Sequence, residues 1–465
     1  MLFSSISFLY YFLPCVLIIY FLVPQKFRNF VLLLASLIFY AWGEPKYVIL
    51  MAISIGIGYI SGLFIEKYRG RSLSRYIMAC AVGLCLSLLG YFKYANFFAD
   101  NFNKLVGEKM IVINIALPIG ISFFTFQIIS YIIDVYRGVK AQHNFISLAA
   151  YISMFPQLIA GPIVRYVDIE KQLNNRSTSI DDIVYGIRRF TLGLGKKIFL
   201  ANVLGEFCDI FHASTEKSIV FFWLYALSYA LHVYFDFSGY SDMAIGLGRI
   251  LGFRFLENFN YPFISKSATE FWRRWHMSLG TWFRDYVYIP LGGNRVTKIR
   301  WIFNIFVVWM MTGFWHGAAW NFVIWGLFFG IVLMIEKLWL LKWLEKSSLL
   351  SRVYAFIILL VSLVFFGATD MGQATSYIGS MFGAGAYPVI TAECLYYLRS
   401  YGVILLFAII GATPVVNNFF ARFEKTETGK KVFAIAEPIV ILMILFVSTA
   451  YLVDGSFNPF LYFRF

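Results

Sequence analysis

Apolar runs of membrane-crossing length recur along this chain. They lie at about 5–23, 30–42, 47–65, 76–92, 113–134, 218–235, 301–316, 318–335, 353–369, 399–415 and 433–453. A helix needs about 20 residues to cross a bilayer, so the run at 30–42 must recruit its flanks or cross a thin region. Of the 465 residues, 60% are hydrophobic and only 14% charged, against roughly 25% charged in a soluble domain. Too few polar residues remain to cover a packed core of this size, so most of the exterior faces lipid. These features predict an all-α polytopic membrane protein. We expect about 11 transmembrane helices, with re-entrant and interfacial pieces, in one integral domain over residues 1–465.

The net charge of +14 sits largely in loops between the apolar runs, where it follows the positive-inside rule and is no nucleic-acid footprint. Lys26 and Arg28 follow the first run, Lys67, Arg69, Arg71 and Arg75 the third, and Arg137 and Lys140 the fifth. The alternation places the N-terminus outside and the basic loops in the cytoplasm. A basic cytoplasmic face attracts anionic lipids and anionic cofactors. The five cysteines form no Cys-x-x-Cys pair, so neither a metal site nor a disulfide framework is expected. The N-terminus enters its first apolar run without a basic segment or small-residue cleavage site, which reads as a retained span.

The middle of the chain is less regular. Residues 145–160 are apolar but contain Pro156 and lead into Gly161-Pro162, as in a helix that stops at depth; such breaks are tolerated where they line a cavity or are buried in protein. Residues 183–204 carry Arg188, Arg189, Lys196 and Lys197 and read as an interfacial or partly buried helix. The polar, glycine-interrupted stretch 236–242 should not face lipid. Residues 249–300 hold nine Lys or Arg against three Asp or Glu and are expected on the cytoplasmic side as amphipathic and re-entrant helices.

The chemistry is sought at the histidines, because an ionisable residue inside a membrane-length apolar stretch is a functional-site hypothesis by default. There are five. His316 lies between two apolar runs, flanked by Gly313 and Gly317, with Trp315 and Trp320 beside it. A neutral imidazole there can take a proton from an attacking hydroxyl; it can equally be a buried structural histidine. His276 is expected in a polar helix with Arg273, Arg274, Arg284 and Asp285, either orienting substrate and assisting the base or serving as a structural residue of a charge-paired interfacial helix. The three arginines suit a phosphate-bearing donor, and each also fits positive-inside topology. Asp285 reads first as a partner for one of them. His232 and Asp236 read as a buried structural pair, and His143 and His212 fall in or beside loops. No zinc-protease, nucleophile-elbow or phosphate-loop motif is present.

With these residues in view, the chain resembles the membrane-bound O-acyltransferase family, and within it the alginate O-acetylation branch. The matching pieces are Phe39-Tyr-Ala-Trp-Gly43, Gln157-Leu-Ile-Ala-Gly-Pro162, Phe235-Asp-Phe-Ser-Gly-Tyr-Ser-Asp242 and Asn258-Phe-Asn-Tyr-Pro262. Tyr288-Ile-Pro-Leu-Gly-Gly-Asn294 and Trp315-His-Gly-Ala-Ala-Trp320 complete the set, which runs from residue 1 to about 390 with core motifs at about 115–335. The resemblance implies a funnel-shaped bundle in which His316 corresponds to the catalytic histidine and His276 to a second functional polar position. Arg273, Arg274, Arg284, Asp285, Trp315 and Asn294 would support the donor. The chain departs from relatives at 365–370, which reads Phe-Phe-Gly-Ala-Thr-Asp without their arginine, and at Gly326-Leu-Phe-Phe-Gly330, which lacks a histidine.

The expectation is therefore transfer of an acyl group, acetyl above others, from a cytoplasmic thioester such as acetyl-CoA to a hydroxyl of an exported polysaccharide. No resident cofactor or metal is expected, and an extracytoplasmic SGNH-type transferase or esterase is the expected protein partner. D-alanyl transfer to teichoic acid is the nearer alternative, and a non-enzymatic transporter or lipid flippase the more distant one.

Overall fold

The computed structural model describes residues 1–108, 112 and 114–455; these are helical with no β-strand among them. Seven helices are long and apolar enough to cross a membrane: Pro45–Lys67, Ser72–Val106, Ile219–Ile250, Trp320–Leu344, Ser348–Gly367, Ala392–Gly411 and Glu427–Val453. Ser7–Leu22 and Ile121–Tyr136 are shorter apolar helices. The protein is thus an all-helical, multi-pass membrane protein.

One compact unit comprises Met1–Phe190, Met243–Leu256 and Arg284–Tyr286. It begins with α1 (Ser7–Leu22), α2 (Arg28–Gly43) and α3 (Val48–Lys67). Next comes α4 (Ser72–Val106), whose 35 residues extend for about 52 Å, well beyond a hydrocarbon core of about 30 Å; the run at 76–92 marks only its apolar part. The expected fifth span opens at residue 113, which lies outside the described residues, and its helix α5 runs over Ile121–Tyr136. Helix α3 packs on α4 and α5, and α5 is buried nearly all round, from Ile121 to Val135. A helix apolar on every side needs such enclosure.

The stop expected in 145–160 occurs where α6 (Phe145–Ser153) ends at Met154 and the single turn α7 (Phe155–Leu158) restarts with Pro156. Every residue from Ser147 to Val164 is buried, so the broken backbone is enclosed by protein, as its unpaired groups require. After α8 (Tyr166–Asn174), α9 (Ile180–Gly195) leaves this unit.

The other unit comprises Thr191–Asp242, Glu257–Phe283 and Val287–Phe465. A π-helical segment, Lys196–Asn202, leads into α10 (Val203–Ala213) and then α11 (Ile219–Ile250). The glycine-interrupted stretch 236–242 does not break α11; it is a buried part of one continuous helix. Segment 183–204 follows the partly buried alternative in its second half, where Lys197 is only 1% exposed. In the longest polar region the helices are short, α12 (Ala268–Trp272) and α13 (Met277–Phe283), and each buries part of its residues.

Helices α14 (Lys298–His316) and α15 (Trp320–Ile335) follow closely the two predicted apolar runs. The chain continues through α16 (Leu341–Leu344), α17 (Ser348–Gly367), α18 (Met371–Met381), α19 (Ala392–Gly411), α20 (Val415–Phe423) and α21 (Glu427–Val453). Helices α12, α15 and α17 pack on one another. Their aromatic side chains, with those of α11, form the core that surrounds the candidate site.

Candidate active site

Helix α14 ends at His316 because Gly317 turns the backbone into an extended conformation. The chain reverses over three residues, and α15 returns against α14. Two glycines permit this approach. A Cβ on Gly313 would collide with the Phe322 carbonyl oxygen, and one on Gly326 with that of Trp309. Small residues serve close helix packing in membranes in this way. The reversal presents the His316 ring to the neighbouring aromatics.

His316 is 6% exposed. Trp315, Trp325 and Phe366 meet its ring nearly at right angles, at centroid distances of 5.0, 5.2 and 5.3 Å. It faces a cavity of ≈ 30 Å³, room for one or two water-sized groups. Asp236 and Phe237 of α11, Trp272 of α12, Trp325 of α15, and Ser362 and Phe366 of α17 contribute to the wall. An imidazole, a carboxylate and a hydroxyl are thus enclosed within aromatic surroundings, where electrostatic effects are strong.

Asp236 was legible only as a structural residue, and its expected partner was His232. The Lys197 ammonium lies 2.6 Å from its carboxylate, both residues being 1% exposed. His232 donates from Nδ1 to the Ala201 carbonyl at 2.6 Å. Removing one member of a buried ion pair typically costs about 3–5 kcal/mol. The rule that singled out His316, an ionisable residue within a span, applies equally to Asp236. The lysine could not be matched to it across some 40 residues of sequence.

His276 is not in a helix. It occupies the break between α12 and α13 with φ 44°, a left-handed conformation that is uncommon for a non-glycine residue. Asn258 holds it there. The Asn258 carbonyl accepts the Met277 N–H at 3.0 Å, and the Asn260 N–H donates to the Arg274 carbonyl at 2.9 Å. His276 Nδ1 donates to Asn258 Oδ1 at 3.2 Å, and the same oxygen accepts from the Ser278 hydroxyl at 2.9 Å. Burial pushes the imidazole pKa down to about 3, so the ring is neutral and its Nε2, buried without a hydrogen-bond partner, is left as an acceptor. The Asn258-Phe-Asn-Tyr-Pro262 motif carried this signal without revealing its role.

Trp315 contacts both histidines, its ring centroid 5.8 Å from that of His276 and 5.0 Å from that of His316. The other candidates separate. Arg273 is exposed on the turn before His276, and Arg274 pairs with Glu270 at 2.9 Å. Asn294 is exposed in a turn that Asn304, fully buried in α14, ties down through the Leu291 and Gly293 carbonyls. Arg284 and Asp285 belong to the other unit. There Asp285 accepts from Arg165 at 2.6 Å and Arg284 at 2.7 Å. Burial pushes the Asp285 pKa up, but Arg284 and Arg165 outweigh it and hold the carboxyl below its usual range. Asp285 is thus the arginine partner that the sequence indicates. Among the described residues no three His, Cys, Asp or Glu side chains group as metal ligands would.

Comparison with known proteins agrees with this architecture. The family description "membrane-bound O-acyltransferase" matches residues 130–368. That segment includes the broken helix at Met154, the α11 carboxylate and both histidines. A protein from Azotobacter vinelandii named probable alginate O-acetylase AlgI is 40% identical over the full length of both chains. A peptidoglycan O-acetyltransferase of Helicobacter pylori is 34% identical over 82% of this chain and 80% of its own. A teichoic acid D-alanyltransferase of Bacillus subtilis is 34% identical over 50% of this chain and 62% of its own. With its helical architecture and its enclosed histidine inside the matched segment, this chain belongs to the membrane-bound O-acyltransferase family.

Proposed function

We propose that this protein moves an acetyl group from a cytoplasmic thioester, acetyl-CoA in the simplest case, to a hydroxyl destined for an exported polysaccharide. One observation carries the mechanism: His316 lies buried in an aromatic-walled cavity with Asp236 and Ser362. His316 takes the proton as the hydroxyl oxygen attacks the thioester carbonyl carbon. As the tetrahedral intermediate collapses and the C–S bond breaks, the imidazolium returns that proton to the leaving thiolate. His276, neutral and fixed by Asn258, supports the cavity through Trp315. In this reading Arg273 and Arg274, on the turn before it, meet the donor's phosphates, and Arg284 with its partner Asp285 supports the donor from its own unit.

The full-length similarity to a protein named as an alginate O-acetylase favours O-acetylation. The D-alanyltransferase likeness covers only half the chain. We further infer about eleven crossings in a funnel-shaped bundle: the seven long helices, the two shorter apolar ones, and α2 and α14. The positive-inside pattern supports an outside N-terminus in the cell membrane. Donor then approaches from the basic face and acceptor from the other, so acetyl crosses while its carrier stays inside. An SGNH-type partner outside completes delivery to the polymer.

The test is polysaccharide-bound O-acetyl in cells lacking this gene, complemented with wild type, His316→Ala or His276→Ala at matched membrane levels. His316→Ala is expected to restore no acetate and His276→Ala to restore part. Full restoration by His316→Ala would leave the histidine structural and admit a transporter.

A further inference from the structure

Two tryptophans that line this cavity carry indole N–H groups that the fold leaves unpaired. Trp272 and Trp325 both line it, and the Nε1 atom of each is buried without a hydrogen-bond partner. Trp325 is 3% exposed and stands at 86° to the His316 ring at 5.2 Å; Trp272 packs against Trp325 at 5.5 Å. A buried tryptophan N–H usually finds an acceptor, and leaving one unsatisfied costs about 1–3 kcal/mol. Phenylalanine would fill such a wall without that cost, as it does at 237, 329 and 366. The cavity is too small for a sugar ring but matches a carbonyl and one attacking hydroxyl.

Resting on the acyl-transfer reading above, we infer that the Trp325 indole N–H, with that of Trp272, donates to the carbonyl oxygen of the acyl group. As the hydroxyl oxygen bonds to the carbonyl carbon, the C=O π electrons move onto oxygen and form an oxyanion. The two N–H groups bind it until the carbonyl re-forms and the C–S bond breaks. Donors already in place and sheltered from water need no reorganisation during the reaction, and for this reason they stabilise a developing oxyanion strongly. The preference is for an acyl donor with a small head. Specificity is set where the carbonyl meets α12 and α15, not by the histidine.

The test uses the full chain at matched membrane levels. Trp325→Phe is expected to lower the rate of polymer O-acetylation about 100-fold, with Trp272→Phe weaker. Trp309→Phe, an indole of the same cluster outside the cavity wall, should stay near wild type. A second readout is the solubilised protein's preference for acetyl-CoA over S-ethyl-CoA, a thioether without the carbonyl. That preference should shrink in Trp325→Phe and persist in Trp309→Phe, which a merely structural role would not produce. If Trp325→Phe fails to accumulate, its benzothiophene isostere, which keeps the ring shape and lacks the N–H, replaces it. Trp325→Phe acetylating within twofold of wild type while His316→Ala is inactive would overturn this inference alone. An active His316→Ala would overturn the acyl-transfer reading itself.

Discussion

At the scale of single residues, His276 joins a strained backbone to a buried neutral ring. Its left-handed φ costs roughly 1–3 kcal/mol, offset by the hydrogen bonds that Asn258 makes around it. Its folded pKa of about 3 lies below the unfolded value of about 6.5. The unfolded chain therefore takes the proton first on acidification. The stability that the neutral ring preserves is complete above pH ~6.5 and lost as pH falls towards 3, at about 1.4 kcal/mol per pH unit. Between pH 7 and pH 5 the wild type should lose about 2 kcal/mol that His276→Asn, which tolerates the same backbone, retains. Thermal midpoints at the two pH values measure this; equal losses in both proteins would rule it out. His276 was legible as a candidate from residue type and motif. Its place in a break rather than a helix was not, because the partner enforcing that backbone lies 18 residues away.

At the scale of helices, the α14–α15 reversal carries the site. Gly313→Ala would drive a methyl group into the Phe322 carbonyl and force the two helices apart one turn before His316. We expect loss of acetyl transfer and a lower melting midpoint in detergent. Gly83→Ala in α4, where a Cβ meets nothing within 4 Å, should be neutral or stabilise by about 0.5–1 kcal/mol. Similar behaviour of the two variants, followed by transfer rate and thermal unfolding, would contradict the packing argument. Another helix end depends on a distant residue. Glu336, 1% exposed, accepts the Ala268 and Thr269 N–H groups at 2.7 and 2.8 Å and so caps α12. Hydropathy located both α14 and α15 within a few residues, yet gave no sign that α12 begins on a carboxylate 68 residues on.

For the molecule as a whole, the charge pattern makes a topological prediction. In a cysteine-free background, Lys46→Cys should react with an impermeant maleimide from outside intact cells, and Arg71→Cys only after permeabilisation. The reverse pattern would invert the orientation, and with it the routes proposed for donor and acceptor. The sequence by itself determined the membrane class and most helix positions, since apolar length and loop charge are local properties that no partner is needed to express. It also marked His316, because an ionisable group in an apolar run is costly wherever it ends up. Only the tertiary structure decided that Lys197 neutralises Asp236, that Trp315 touches both histidines, and that two tryptophans with unpaired indole N–H groups line the cavity. These relations join residues distant in sequence, or depend on side-chain direction, and neither hydropathy nor motif spacing encodes them.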